Sequence, residues 1–359
     1  MDNRENQITS RQLMGILLSI QLGIGMLTLP ADLSVVSGHD GWIPVLLYGI
    51  ILTAVIALMM KLLNRYDNQS IFEINKYIYG KYIGWIFNLL IIAYFWYSSC
   101  LSFRIYINIL HVQVLRTTPS LILDIFIILP IYYLTWNGLK YVSRITFLIY
   151  ISLAFFLILF VLVLKDIRLT FLMPVGECGL EGIKAGIKPC VFAYLGYELI
   201  PIIYPEITNK QKAMKYSLFS NIIVTLFFLM LVLVTTSFFG EEMLKKSMYP
   251  IIKLSRSYKA IVIDRIDLLF IVFWLVSQSI AFTAYFSVTY YSMHKILKFT
   301  RKTLYLIVFT IITILLSNIP KSNSQLTIYN DIMTVSGFSF TILLIVSYFF
   351  SFIRKKGVR

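Results

Sequence analysis

The stretch "LSIQLGIGMLTLP", residues 18–30, decides how this chain is read. It lies within a long apolar run, yet Gly23 and Gly25 bracket a single residue at mid-depth and Pro30 follows a turn later. Lipid supplies no water to replace lost backbone hydrogen bonds, so a broken helix survives only where protein or a cavity satisfies it. The break also exposes something useful. The second half-helix begins with free amides and a positive dipole end, and the first ends with free carbonyls. Glycine at such a place also lets helices pack closely. A second interrupted run, "KPCVFAYLGYELIPIIYPEI" at 188–207, carries Pro189, Gly196, Pro201 and Pro205, with Glu198 two residues past the glycine. Paired broken spans in corresponding halves point to a binding site at the midplane of an inverted repeat.

Composition supplies the solvent for this reading. The 359 residues are 58% hydrophobic and 14% charged, with a mean hydropathy of +0.80. That much apolar surface calls for a bilayer. The net charge of +15 is scattered between apolar runs, which fits a positive-inside bias better than nucleic-acid binding. Ten segments are long enough to cross, near 11–36, 42–63, 83–113, 120–137, 141–164, 184–204, 214–239, 265–294, 303–320 and 328–353. Most of the 32 Lys and Arg fall on the side that holds both termini, so both are expected in the cytoplasm. The segment 240–262, "GEEMLKKSMYPIIKLSRSYKAIV", reads as an amphipathic helix lying on the outer membrane surface. Residues 1–359 read as one integral membrane domain with no soluble domain between spans. The opening "MDNRENQITSRQ" has the wrong order for a cleaved signal. Cys100, Cys178 and Cys190 form no paired framework, and no cofactor or metal is expected.

"GIGMLTLPADL" and "FAYLGYE" resemble the first- and sixth-helix motifs of the amino acid–polyamine–organocation superfamily. A closer resemblance covers nearly the whole chain. "ITSRQL", "GHDGWIPVLL", "LSFRIYI", "TTPSLIL", "GLKYVSRITFLIY" and "IDRIDLLFIVFW" are similar, in order, to stretches of the B subunits of spore germinant receptors. The resemblance implies an all-α, ten-helix, LeuT-like fold. Its two inverted five-helix repeats would span 1–164 and 184–353, with helices one and six broken. It also implies a membrane protein of the spore inner membrane of an endospore former. Such a subunit detects a small germinant, usually an amino acid, beside an A subunit and a lipoprotein C subunit. The same fold serves secondary amino acid transporters, some proton-coupled, and a ligand-gated water or ion path, so fold alone leaves these functions open. No nucleophile–base pair or metal cluster suggests an enzyme.

The expected site is framed by Leu22, Gly23, Ile24, Gly25 and Met26 in the first break and by Tyr194, Leu195, Gly196 and Tyr197 in the second. The superfamily pattern implies a ligand carboxylate at the amides of Gly23 to Met26 and an ammonium facing carbonyls around Val191 to Tyr194. A Gly25→Leu change is expected to abolish the ligand response while leaving folding intact. Tyr94, Tyr97, Leu101 and Arg104 share one helical stripe in span three, and Tyr97 and Leu101 are assigned to the pocket wall. Arg104, a charge inside a span, needs a partner or water, and Glu198 and Asp124 are both available. Glu198 reads as a structural pair or a proton-coupling group. On span eight, Thr283, Ser287 and Tyr291 form a polar stripe, which in LeuT-like proteins faces the first break and helps bind sodium. Ser287 and Tyr291 are assigned to the ligand site, although Ser and Thr also bond their own helix. Asp32 favours an amide-rich helix end or water, and Arg144 an interfacial anchor. His39, His111 and His294 are expected near membrane surfaces, too scattered for a metal.

Overall fold

The computed structural model describes residues 6–66, 69–257 and 265–353. These residues fold into helices joined by short turns, plus one isolated parallel β-bridge between Ile8 and Ile207. In chain order the helices are α1 (Ser10–Gln21), α2 (Gly25–Ser37), α3 (Trp42–Arg65), α4 (Ile71–Tyr79), α5 (Lys81–Gln113), α6 (Ser120–Trp136), α7 (Leu139–Ile145) and α8 (Leu148–Val163). They continue as α9 (Gly179–Ala193), α10 (Ile200–Ile203), α11 (Ala213–Phe239), α12 (Glu241–Lys245), α13 (Pro250–Ser257), α14 (Ile266–Leu297), α15 (Lys302–Ser317) and α16 (Asn323–Ile353). Local sequence sets several of the ends. Thr9 and Gln12 close a capping box on α1, and Ser70 and Glu73 close another on α4.

Six runs are long and apolar enough to cross a bilayer: α3, α5, α7 with α8, α11 with its preceding turn, α14 and α16. Two more spans are bent pairs, α1 with α2 at 49° and α9 with Tyr197–Glu206 at 53°. The shorter apolar helices α6 and α15 stand where two further spans are expected from hydropathy. Most ends agree closely; the sixth span starts earlier than expected, at Gly179, and the tenth at Asn323. Large apolar side chains such as Phe126, Ile50 and Leu226 remain exposed on the outer faces, as a lipid-facing surface requires.

The bent spans cross where their backbones touch. A Cβ at Gly25 would lie 2.4 Å from Ala193 Cα and 2.9 Å from its carbonyl oxygen. Close packing and helix interruption are therefore one feature at Gly25, and the expectation that Gly25→Leu leaves folding intact is corrected: backbone on both sides has no room to yield. Gly196 is glycine for another reason, since its φ of +126° is closed to ordinary L side chains.

The segment at 240–257 packs its apolar residues against the helix bundle. Ile251, Ile252 and Leu254 are buried, and α13 packs on α2, α11 and α14. The last residues of the expected amphipathic stretch, 258–262, fall outside the described residues. A clasp holds α12 to the end of α2. His39 Nε2 lies 2.6 Å from the Pro174 carbonyl, and Nδ1 lies 3.2 Å from Glu241 Oε2. Asp40 and Glu177 stand 3.9 and 3.7 Å from the same ring. Both ring nitrogens face acceptors, and only the imidazolium donates from both. Asp40 in turn accepts from the amides of Gly176 and Cys178. At the opposite end of the bundle, Ile8 donates to the Glu206 carbonyl and accepts from Thr208, while Ser10 bonds Asn209. The start of span one is thus stitched to the end of span six.

Two outcomes test this packing. Gly25→Ala should lower the thermal midpoint by the equivalent of about 1–3 kcal/mol, as overpacking does; an unchanged midpoint would mean that α2 and α9 do not touch here. The second outcome concerns Glu241. Burial alone would raise its carboxyl, but hydrogen bonds from Lys245 and His39 outweigh that and hold it below the usual glutamate value. A carboxyl held low when folded adds stability above its unfolded value, near about 4.3, and that stability is lost as pH falls through the lower folded value. The thermal midpoint should fall on acidification through this range, and fall less in Glu241→Gln. Equal acid sensitivity would show that the clasp carries no stability.

Candidate functional site

The two breaks leave backbone groups that side chains from elsewhere satisfy. Trp274 Nε1 of α14 donates to the Gly23 carbonyl at 3.0 Å, and Gln21 Nε2 of α1 donates to the Tyr194 carbonyl at 2.9 Å. Each bond spares an acceptor whose burial unpaired would cost about 1–3 kcal/mol. The second of them engages one of the carbonyls expected to meet a ligand ammonium. Glu198, fully buried, closes the second break. Its Oε2 accepts from the Gly196 amide at 2.7 Å, and its Oε1 accepts from the Tyr94 hydroxyl. Next to it, the Tyr197 hydroxyl pairs with Thr341 on α16.

Between the breaks is a void of about 20 Å³, bounded by Ile24, Gly25, Ser102, Phe192, Gln278 and Tyr285 among others. That is room for about one water. Gln278 and Tyr285 are buried, and among the described residues Gln278 Oε1 and the Tyr285 hydroxyl have no hydrogen-bond partner. The Gln278 amide nitrogen is held by Ser102, 2.8 Å from its hydroxyl. Gly25 opens α2, and first-turn amides lack intrahelical acceptors. The void therefore gathers an acceptor, a hydroxyl and a helix N-terminus in one small space.

A larger vestibule of about 600 Å³ lies toward the end of the bundle that bears the His39 clasp. Thr28 and Asp32 of α2, Lys188 of α9, Asn330 and Asp331 of α16 and the Lys245–Tyr249 loop form its walls. Lys188 and Asp331 pair across it at 2.7 Å. Ile24 and Phe192 border both spaces, so they form the partition between vestibule and void.

The residues singled out from sequence divide among several places. Gly23, Ile24, Gly25, Leu195 and Gly196 lie at the breaks, with Ile24, Gly25 and Leu195 on the void itself. Met26 and Tyr194 are buried beside them. Tyr97 and Leu101 line a separate cavity of about 330 Å³ between α5, α15 and α16, where the Tyr97 hydroxyl donates to the Tyr329 carbonyl at 2.8 Å. Ser287 lies away from the void, bonded to Thr135 at 2.7 Å, and Tyr291 bonds Glu206 at the stitched end. Thr283 bonds the carbonyl of Ser279 in its own helix. Arg104 does not meet Glu198; it donates to Asn318 at 3.2 Å, and Asn318 donates to Asp124 at 2.8 Å. Asp32 lines the vestibule, and Arg144 stacks over Tyr141. Among the described residues no group of three or more His, Cys, Asp or Glu is placed to hold a metal.

The stripe of α14 that reaches the breaks is Trp274, Gln278, Ala281 and Tyr285, at spacings of four, three and four. The stripe chosen from sequence starts two residues after Ala281, a turn of about 200° that carries it to the other face. One signal was available: Gln278 is an uncharged polar residue inside an apolar span, where unpaired polar groups are expensive. Gln21, in the apolar run of span one, carries the same signal, whereas Ser102 and Trp274 gave none comparable.

A family model described as spore germination protein matches residues 7–326. Spore germination protein GerQB of Bacillus cereus is 25% identical over 283 residues, 78% of each chain. Spore germination protein B2 of Bacillus subtilis (strain 168) is 24% identical over 364 residues, covering 99% of this chain and 98% of that one. Among solved structures, MhsT in complex with L-phenylalanine superposes with a TM-score of 0.66 at 12% identity, over 94% of this chain and 89% of that one. That likeness shows the fold, which is LeuT-like with its first and sixth spans broken. With most of its length matched by the family model and its apolar spans accounted for, the chain belongs to the spore germination protein family of permease-like integral membrane proteins.

Proposed function

We propose that this chain is the ligand-sensing B subunit of a spore germinant receptor, acting with an A subunit and a lipoprotein C subunit in the spore inner membrane. The observation that carries the reading is the pair of buried polar atoms, Gln278 Oε1 and the Tyr285 hydroxyl, that lack a partner among the described residues, beside the N-terminus of α2. A free acceptor suits an ammonium, and first-turn amides suit a carboxylate, so the ligand class is a small amino acid. The fold relative solved with L-phenylalanine is consistent with that class. With both termini cytoplasmic, the vestibule opens outward and the ligand arrives from outside. The two five-span repeats, 1–164 and 184–353, then contribute one break each.

The small volume of the void gives a mechanism. About 20 Å³ admits no amino acid, so binding requires the Ile24–Phe192 partition to move and the two bent spans to part. Ligand then favours a second arrangement of the bundle, and a nearly complete switch needs about 5.5 kcal/mol of differential affinity. The partners read that shift. Thr341, bonded to Tyr197, lies on α16, so rearrangement of the second break reaches the last span directly.

Tyr285→Phe separates ligand recognition from stability. Its hydroxyl has no partner among the described residues, so its removal should leave the thermal midpoint within error. In spores with this receptor alone, the germinant concentration for half-maximal response should rise about tenfold, the value of one hydrogen bond. An unchanged dose response would remove the hydroxyl from the site. Purified chain in proteoliposomes should bind labelled amino acid without accumulating it. Saturable accumulation would instead assign the chain to secondary transport.

A further inference from the structure

The cavity that holds Tyr97 and Leu101 is separate from both the void and the vestibule, and none of its lining residues is shared with either. It measures about 330 Å³, within the range of about 300–1,000 Å³ typical of ligand cavities. Its polar groups are already engaged. Trp96 Nε1 donates to Thr313 Oγ1 at 3.0 Å, Tyr97 donates to the Tyr329 carbonyl at 2.8 Å, and Ser317 Oγ donates to the Ile314 carbonyl at 2.8 Å. The rings of Tyr97 and Tyr329 stack at 5.9 Å. A polar guest would give up its hydration and find little in return, whereas a hydrocarbon guest would lose nothing.

The position of the cavity names the guest. Its walls come from three apolar helices, and the apolar side chains of Leu316 and Ile319 remain 39% and 54% exposed at its rim, as suits a face turned to lipid. Immediately after the lining residue Pro320 stands Lys321, exposed, and no acidic side chain lines the cavity. We propose that this cavity binds one acyl chain of an anionic phospholipid, with Lys321 at the headgroup phosphate. A bound chain would also set the spacing of the two helices that wall the germinant path. Tyr329 precedes Asn330 and Asp331, which line the vestibule, and Leu101 precedes Ser102, which lines the void. The lipid site itself does not depend on the germinant reading; only this coupling does.

The test uses the full chain in nanodiscs of phosphatidylcholine doped with phosphatidylglycerol that carries a diazirine on its acyl chain. After irradiation, cross-linked peptides are mapped by mass spectrometry. Labelling should concentrate in 93–101 and 316–329. Ala93→Phe, at an exposed rim position, should reduce it there about fivefold without changing labelling on α6, and Lys321→Glu should remove the preference for phosphatidylglycerol over an equally labelled phosphatidylcholine, about fivefold for one lysine at a membrane surface. Lys321 is exposed, so that variant stays informative even if Ala93→Phe folds poorly. Labelling spread evenly over all lipid-facing helices, or unchanged by both substitutions, would overturn the site. Loss of the phosphatidylglycerol preference with a normal germinant response in Lys321→Glu spores would overturn the coupling while leaving the site and the sensor reading in place.

Discussion

Everything in this molecule depends on backbone polarity at a depth where water is absent. Interrupting a span frees amides and carbonyls that cost several kcal/mol if left in hydrocarbon. Two interruptions at one level are tolerated because side chains from neighbouring helices satisfy the carbonyls they expose. Gln21, at the end of α1, donates to the carbonyl of Tyr194 in the sixth span, and Trp274 donates to Gly23 from α14. The contact of Gly25 on the Ala193 backbone brings the broken ends close enough for this exchange. Without that approach, neither break would be buried well enough to persist.

α14 is the strut against which both bent spans are set. One face carries Trp274 to a broken carbonyl and leaves Gln278 and Tyr285 facing the void, while the opposite face packs Ser287 on Thr135 of α6. The second break is closed differently, by a buried carboxyl folded back onto its own glycine amide and anchored by Tyr94 from α5. The first break thus borrows a neutral indole and the second an acidic side chain. A rearrangement of the bundle would disturb them by different chemistry.

The two ends of the bundle are fastened unequally. At one end, Ile8, Ser10 and Tyr291 tie the start of span one, the end of span six and α14 into a continuous polar seam. At the other, the vestibule penetrates as far as Ile24 and Phe192, and the cover formed by α12 and α13 is clasped through His39 and Glu241. Access is therefore one-sided in this arrangement, and the thin barrier is a pair of apolar side chains.

The amino-acid sequence by itself determined the solvent, the number of spans and which two are broken, because hydropathy, glycine and proline act locally and leave their mark in order along the chain. It also marked Glu198 and Gly196, whose partnership spans two residues. Side-chain partners across the bundle were decided only by tertiary structure. Arg104 had two carboxylates within plausible reach and took Asp124 through Asn318, a residue far along the chain. Tyr97 and Leu101 turned toward α15 and α16 rather than toward the breaks. The stripe of α14 that reaches the breaks was missed by two residues because a mostly buried helix has no polar face to reveal its rotation. In lipid, helix rotation is fixed by packing and a few buried hydrogen bonds, and those are set between segments far apart in sequence.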